Sequence, residues 1–249
     1  MASPRRESRR VTASERIGLY TMLRVERGGL EAGLPGQFFM LDVPGHVMSR
    51  PFSICLARKE ELVFLINPIG PATHTLCELQ RGQTIGVFGP LGNGFRTDVA
   101  RPLLVGGGIG VAPLPYAAQV MGNPPTVLGF RTSRQAEAAE LIPKAEVRIE
   151  PKLVTELIPV GAVDVLACGP EPMLHAVHAL VPDAQLAWEA PMACGFGACY
   201  GCVVEVGGES RRLCVEGPVI NGRPPSSPVI YDEAAEAAGA EAAGAEAEA

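Results

Sequence analysis

The sequence predicts an α+β protein of several domains. An N-terminal part reads as a small β-barrel or sandwich, a central part as α/β with a parallel sheet, and a short C-terminal part as β-rich and built on cysteines. Three observations carry this. Between residues 16 and 98, short apolar runs (37–43, 62–66, 84–88) recur between turns containing Gly and Pro, the rhythm of short antiparallel strands. From residue 101, strand patterns alternate with helix patterns, which points to a parallel sheet. Beyond residue 187 the chain gathers four of its seven cysteines.

In the central part, 103–105 reads as a buried strand running into a glycine loop and a helix over 112–121. Residues 126–130 and 163–168 read as further strands, and 170–180 as a helix opened by proline, which that position tolerates. In the last part, 202–206 is a short strand. So small a segment cannot hold a large core and depends on its cofactor and its neighbours.

The cysteines are spaced C-x4-C-x2-C (Cys194, Cys199, Cys202), and Cys214 follows. This is the plant-type [2Fe-2S] pattern. Thiolates are soft ligands suited to iron and sulfide, and Gly195, Gly197, Ala198 and Gly201 leave room for a loop to wrap closely. Structural zinc more often takes two short C-x2-4-C pairs, so a zinc scaffold is the weaker reading.

Composition narrows the rest. The chain has 249 residues, 47% hydrophobic and 19% charged, as a packed globular protein does. Its net charge is −6, and the last eighteen residues alone hold six acids and no base, so nothing favours nucleic acid. That tail, 232–249, is too poor in large apolar side chains to fold and is expected to be disordered. So is the stretch 1–15, basic at Arg5, Arg6, Arg9 and Arg10, which lacks the apolar core of a secretory signal. The uncharged stretch 102–130 is interrupted by Gly106, Gly107, Gly108, Gly110, Pro113 and Pro115, which argues against a membrane span. An odd cysteine count with four in one motif argues for a reducing, cytoplasmic setting.

Four further motifs stand out. Arg50-Pro51-Phe52-Ser53 offers a guanidinium fork, an aromatic face and a hydroxyl on extended backbone; the plain alternative is a turn boundary. Gly70-Pro71-Ala72-Thr73 opens a helix whose free amides suit a phosphate, or is simply a capped helix. Gly106-Gly107-Gly108-Ile109-Gly110-Val111-Ala112-Pro113 is a strand-to-helix glycine turn of the kind that approaches dinucleotides. Cys168-Gly169-Pro170-Glu171-Pro172-Met173 follows a strand end, where open parallel sheets bind ligands. His175 and His178, three apart on one helix, read as packing residues. Arg131 and Arg134 either reach a 2′-phosphate or sit in a solvated loop.

In this order and spacing the four motifs resemble the ferredoxin reductase-like superfamily. With Gly89-Pro90-Leu91-Gly92-Asn93-Gly94-Phe95, the cysteine block resembles the electron-transfer subunits of class 1B dihydroorotate dehydrogenases. The resemblance covers about residues 15–231. It implies an antiparallel β-barrel holding FAD over 16–100, an NAD-binding α/β domain over 101–186 and a [2Fe-2S] domain over 187–231. Arg50, Pro51, Phe52, Ser53, Leu65, Ile66, Asn67, Ala72 and Thr73 would hold FAD; where the family usually carries G-x-G-T, this chain has Ala72 for the second glycine. Gly106, Gly107, Gly108, Gly110, Pro113, Cys168, Gly169 and Pro170 would take NAD, and Cys194, Cys199, Cys202 and Cys214 the cluster. No side chain is expected as an acid or base catalyst. The resemblance also implies pyrimidine biosynthesis and an FMN-containing dihydroorotate dehydrogenase partner, as a heterotetramer of two of each, docked near Met192 and Phe196. Subunits of a sulfhydrogenase or a ferredoxin:NADP oxidoreductase are the runner-up.

Overall fold

A computed structural model describes residues 4–222 and 224–226. The acidic tail lies outside them.

The first six strands are β1 (Arg5–Ile17), β2 (Tyr20–Glu26), β3 (Phe38–Leu41), β4 (Arg50–Ala57), β5 (Glu61–Ile66) and β6 (Thr84–Leu91). They close into an antiparallel barrel in the order β1-β2-β5-β4-β3-β6. Alternation sends Leu23, Val25, Phe39, Leu41, Ile54 and Phe64 inward, and Phe39 and Phe64 meet edge-to-face at 5.9 Å. Helix α1 (Pro71–Cys77) covers this core with Ala72 and Leu76.

The strand β1 corrects the expectation of a disordered N-terminus. Residues Arg5–Arg10 pair with β6 and Val11–Ile17 with β2. Only Val11 is buried on this strand, so composition gave no sign of it. Ladder hydrogen bonds to two neighbours hold it instead, and three of its five arginines are paired: Arg6 with Asp42, Arg9 with Glu7, Arg10 with Glu26.

The central strands are β7 (Leu103–Gly107), β8 (Thr126–Phe130), β9 (Glu146–Ile149), β10 (Val165–Cys168) and β11 (Gln185–Ala187), with helices α2 (Leu114–Val120), α3 (Ser133–Ala136) and α4 (Glu171–Leu180). The glycine turn after β7 is a 3-10 helix, Gly108–Val111, rather than the start of α2. In the C-terminal part, β12 (Val203–Val206) and β13 (Glu209–Arg212) form a hairpin across Gly207-Gly208, both at positive φ, as tight two-residue hairpin loops require. The last strand, β14 (Val219–Asn221), returns to the central sheet, whose order is β14-β11-β10-β7-β8-β9. All pairs are parallel except β11–β14. The expected boundary at 186/187 therefore runs through β11, and the cysteine segment contributes an edge strand to the nucleotide-type sheet. Among the described residues no helix is long and apolar enough to cross a membrane.

Candidate redox site

A cleft of about 160 Å³ lies where the barrel meets the carboxyl ends of the parallel strands. The barrel supplies Phe38, Pro51, Phe52, Ser53 and Leu65, followed by Asn67, Ile69 and Thr73; the sheet side supplies Ile109, Ala112, Pro113, Cys168 and Ala187. Ladder register explains the convergence. Ser53 pairs with Phe38 across β3–β4, and Cys168 pairs with Gly106 on one side and Ala187 on the other. The chain leaving β11 closes the cleft with Trp188, Glu189, Ala190 and Met192.

Eight expected residues thus come together: Pro51, Phe52, Ser53, Leu65, Asn67, Thr73, Pro113 and Cys168. The others lie off the cleft lining. Arg50 donates from its guanidinium to the carbonyls of Met48 and Ser49, at 3.0 and 3.3 Å. Ile66 and Ala72 turn into the barrel core. The Ala72 methyl is packing there, which accounts for an alanine in place of glycine. The Thr73 hydroxyl closes its own turn, accepting from the Gly70 amide at 3.0 Å and donating to the Gly70 carbonyl at 2.9 Å.

The glycine loop serves packing more than the sequence suggests. A Cβ on Gly106 would meet Leu114 and Leu128; one on Gly107 would meet Met173 and Pro170; one on Gly169 would meet Met173. At Gly110 it would lie 2.3 Å from the Cys168 carbonyl oxygen. These glycines let β7 and its turn press against the turn after β10. Gly108, at φ +53, is the loop position with open space beyond it.

Cys168 is 3% exposed. Burial, then the nearby Glu189 charge, holds its thiol well above the usual range, so it faces the cleft as a neutral S–H. Trp188 is 1% exposed, and its indole N–H has no hydrogen-bond partner in the protein. A buried donor left unmade is costly. Sequence reasoning missed Trp188 and Glu189, although their place just before the cysteine loop was a usable signal. Met192 is partly buried against the core as it lines the cleft, whereas Phe196 is 58% exposed. His175 packs edge-to-face on Trp188 at 5.3 Å and meets Glu171 at 3.3 Å, a packing role. Arg131 pairs with Glu150 at 3.6 Å.

The four motif thiols fall into two pairs. Cys202 and Cys214 are buried with their sulfurs 3.2 Å apart. Cys194 lies beside Cys199. Burial would raise the Cys194 thiol, but the Cys199 and Phe196 amides, the Cys199 side chain and the Ala198 amide outweigh it and lower it to about 6. Burial and then the Cys202 thiol push Cys214 up to about 12, since two thiolates so close repel unless a cation lies between them. Among the described residues, no three of His, Cys, Asp and Glu gather around one point as a single-ion site. Two thiol pairs suit a two-iron centre, with four cysteines shared between its irons, better than one tetrahedral zinc.

Residues 189–224 match a family profile described as the iron-sulfur cluster binding domain of dihydroorotate dehydrogenase B. The chain is 32% identical over 226 residues to the dihydroorotate dehydrogenase B (NAD(+)) electron transfer subunit of Clostridium perfringens, covering 82% of this chain and 91% of that one. It is 38% identical over 221 residues to the Geobacillus protein of the same name, covering 76% and 85%. Among solved structures, an NADH-dependent reduced ferredoxin-NADP oxidoreductase shares the fold at TM-score 0.74 and 23% identity, over 86% of this chain and 88% of that one. An Amycolatopsis cytochrome P450 reductase does so at TM-score 0.59 and 24% identity, over 72% and 66%.

Proposed function

Since the chain belongs to the family of dihydroorotate dehydrogenase B electron transfer subunits, we propose that it passes electrons between NAD(H) and the flavin of a partner dihydroorotate dehydrogenase. FAD occupies the cleft and a [2Fe-2S] cluster sits on Cys194, Cys199, Cys202 and Cys214, in the service of pyrimidine synthesis. One observation carries this. The cleft and the buried thiols share a single apolar cluster, in which Phe38, Trp188 and Ala190 line the cleft and Cys202 and Cys214 lie at the far side.

Bound together, FAD and the cluster supply the exchange between hydride transfer and single-electron transfer. The protein's part is positioning and exclusion of water. Pro51, Phe52 and Ser53 present a flat apolar edge and a hydroxyl from β4. Ile109, Ala112 and Pro113 face them from the sheet, leaving room for a nicotinamide between sheet and barrel. Cys168 offers a neutral thiol, and Trp188 an aromatic wall. The commitment of Arg131 to Glu150 leaves it poorly placed to attract a 2′-phosphate and favours NAD.

The partner is an FMN-containing catalytic subunit, in an assembly of two of each. Phe196, Tyr200 and Val215 are exposed around the cysteine loop, an apolar face suited to that contact. The three cysteines outside the cluster motif, Cys55, Cys77 and Cys168, are unpaired, in keeping with a reducing, cytoplasmic setting.

The test is an anaerobic visible spectrum of the purified chain, before and after NADH. Flavin and iron–sulfur bands that bleach with NADH are expected, followed by reduction of NAD when dihydroorotate and the catalytic subunit are added. Bleaching without transfer to NAD would assign the chain to another reductase complex. A colourless, zinc-bearing protein would overturn the proposal entirely.

A further inference from the structure

The guanidinium of Arg212, at the end of β13, reaches three points of the cysteine segment. Its Nη1 donates to the Gly197 carbonyl, between Cys194 and Cys199, at 3.3 Å. Its plane lies over the ring of Tyr200, between Cys199 and Cys202, 5.3 Å from the centroid. Its Nη2 and Nε reach the two carboxylate oxygens of Glu216, two residues beyond Cys214, at 2.8 and 3.3 Å, and its own backbone N–H donates to the same carboxylate at 2.7 Å. The Glu216 carbonyl in turn accepts from the Asn93 side chain at 3.2 Å, just past barrel strand β6. Gly197 is at φ +87, and a Cβ there would meet Val215 Cγ2 at 2.8 Å and Nη1 of Arg212 at 3.1 Å.

We propose that Arg212 is a positioning residue for the iron–sulfur loop. Its planar fork braces the three-cysteine loop against the Cys214 segment and holds one positive charge next to the ligands. A forked, stacking cation is what Arg supplies and Lys does not, and groups just outside a metal's ligands commonly set its affinity by 10–100-fold. Without the guanidinium, the Glu216 carboxylate it pairs with would stand uncompensated beside the ligands and disfavour the more negative, reduced state of a cluster.

The inference rests on reading the four cysteines as cluster ligands, and the experiment separates the two. Iron release to a chelator and the cluster's midpoint potential are measured on the flavin-containing proteins carrying Arg212→Lys, Arg212→Leu or Glu216→Gln, with wild type alongside. Arg212→Lys and Arg212→Leu are expected to release iron about tenfold faster or more. Arg212→Leu is also expected to shift the reduced-to-oxidised ratio about tenfold toward oxidised, about 59 mV for one electron, while Arg212→Lys keeps the wild-type potential. Wild-type iron retention in both Arg212 variants overturns the brace, and an unmoved potential in Arg212→Leu overturns the charge effect. If Arg212→Leu fails to accumulate, Glu216→Gln decides: faster release supports the brace, and an unchanged rate overturns it. A wild-type chain without iron would instead sink the cluster reading, and the brace with it.

Discussion

Met40 on barrel strand β3 lies against the backbone of Gly195 in the cysteine loop, so close that a Cβ on Gly195 would stand 2.6 Å from Met40 Cγ. The loop is thus seated on the barrel through contact with a glycine, and Gly195 also has φ +77. Gly195→Ala adds a steric clash to backbone strain of about 1–3 kcal/mol. The expected result is reduced iron content and a lower urea midpoint. Adding Met40→Ala should recover part of the loss but not the strain. Full iron loading of Gly195→Ala would contradict the seating.

The features legible in the sequence were those with local signatures: cysteine spacing, glycine turns, and strands with an apolar face. Strand β1 was not legible, because long-range main-chain pairing holds it while its side chains are charged and exposed. Strand β14 was hidden for another reason: its Val219 and Ile220 are buried, but three residues are too few to show a pattern, and they complete a sheet begun more than a hundred residues earlier. In the site, the sequence assigned Pro51–Ser53 to FAD and Cys168 to NAD, and the fold brings the two motifs to one cleft. The glycines carry a second role that the sequence does not show: a Cβ on Gly106, Gly107 or Gly110 would meet protein atoms. Spacing cannot tell a glycine that admits a ligand from one that admits another strand.

Trp188 is the chain's one tryptophan, so its emission reports on the cleft without interference. Adding FAD to flavin-depleted protein should quench that emission strongly, with saturation at one FAD per chain. Trp188→Phe, which keeps an aromatic ring and removes the emission, is the blank for that titration. Unquenched emission at saturating FAD would move the flavin out of this cleft.

Phe196 is more than half exposed while its ring meets Phe88 edge-to-face at 6.0 Å. Such a supported, exposed aromatic beside the cysteine loop has the character of an interface anchor, worth about 2 kcal/mol or more. Phe196→Glu is expected to weaken binding of the catalytic subunit at least tenfold, read by analytical ultracentrifugation, while the visible spectrum stays unchanged. Undiminished affinity would exclude this face.

Cys55 is fully buried, and burial raises its thiol from 9.0 to about 12. An unfolded chain releases that proton near pH 9 and the folded chain does not. The stability associated with the neutral thiol is therefore complete below pH 9 and lost as pH rises toward 12. The slope is at most about 1.4 kcal/mol per pH unit for each such thiol. Urea midpoints should hold steady to pH 8.5 and then fall, and Cys55→Ala should flatten the fall. A wild-type slope in that variant would assign the pH dependence to other groups.

Gly108 and Gly110 stand two residues apart and test two different roles. A methyl at Gly110 meets the Cys168 carbonyl oxygen at 2.3 Å, whereas one at Gly108 meets nothing within 4 Å and bears only the strain of φ +53. Gly110→Ala should destabilise the fold markedly, since backbone cannot move aside as a flexible side chain does. Gly108→Ala should cost only about 1 kcal/mol of stability, yet raise the KM for NADH if the nucleotide uses that open space. Thermal unfolding and steady-state diaphorase kinetics on both variants separate the effects. An unchanged KM in Gly108→Ala would leave the nucleotide bound through Pro113 and the cleft wall, with the glycine loop serving only to pack β7 against β10.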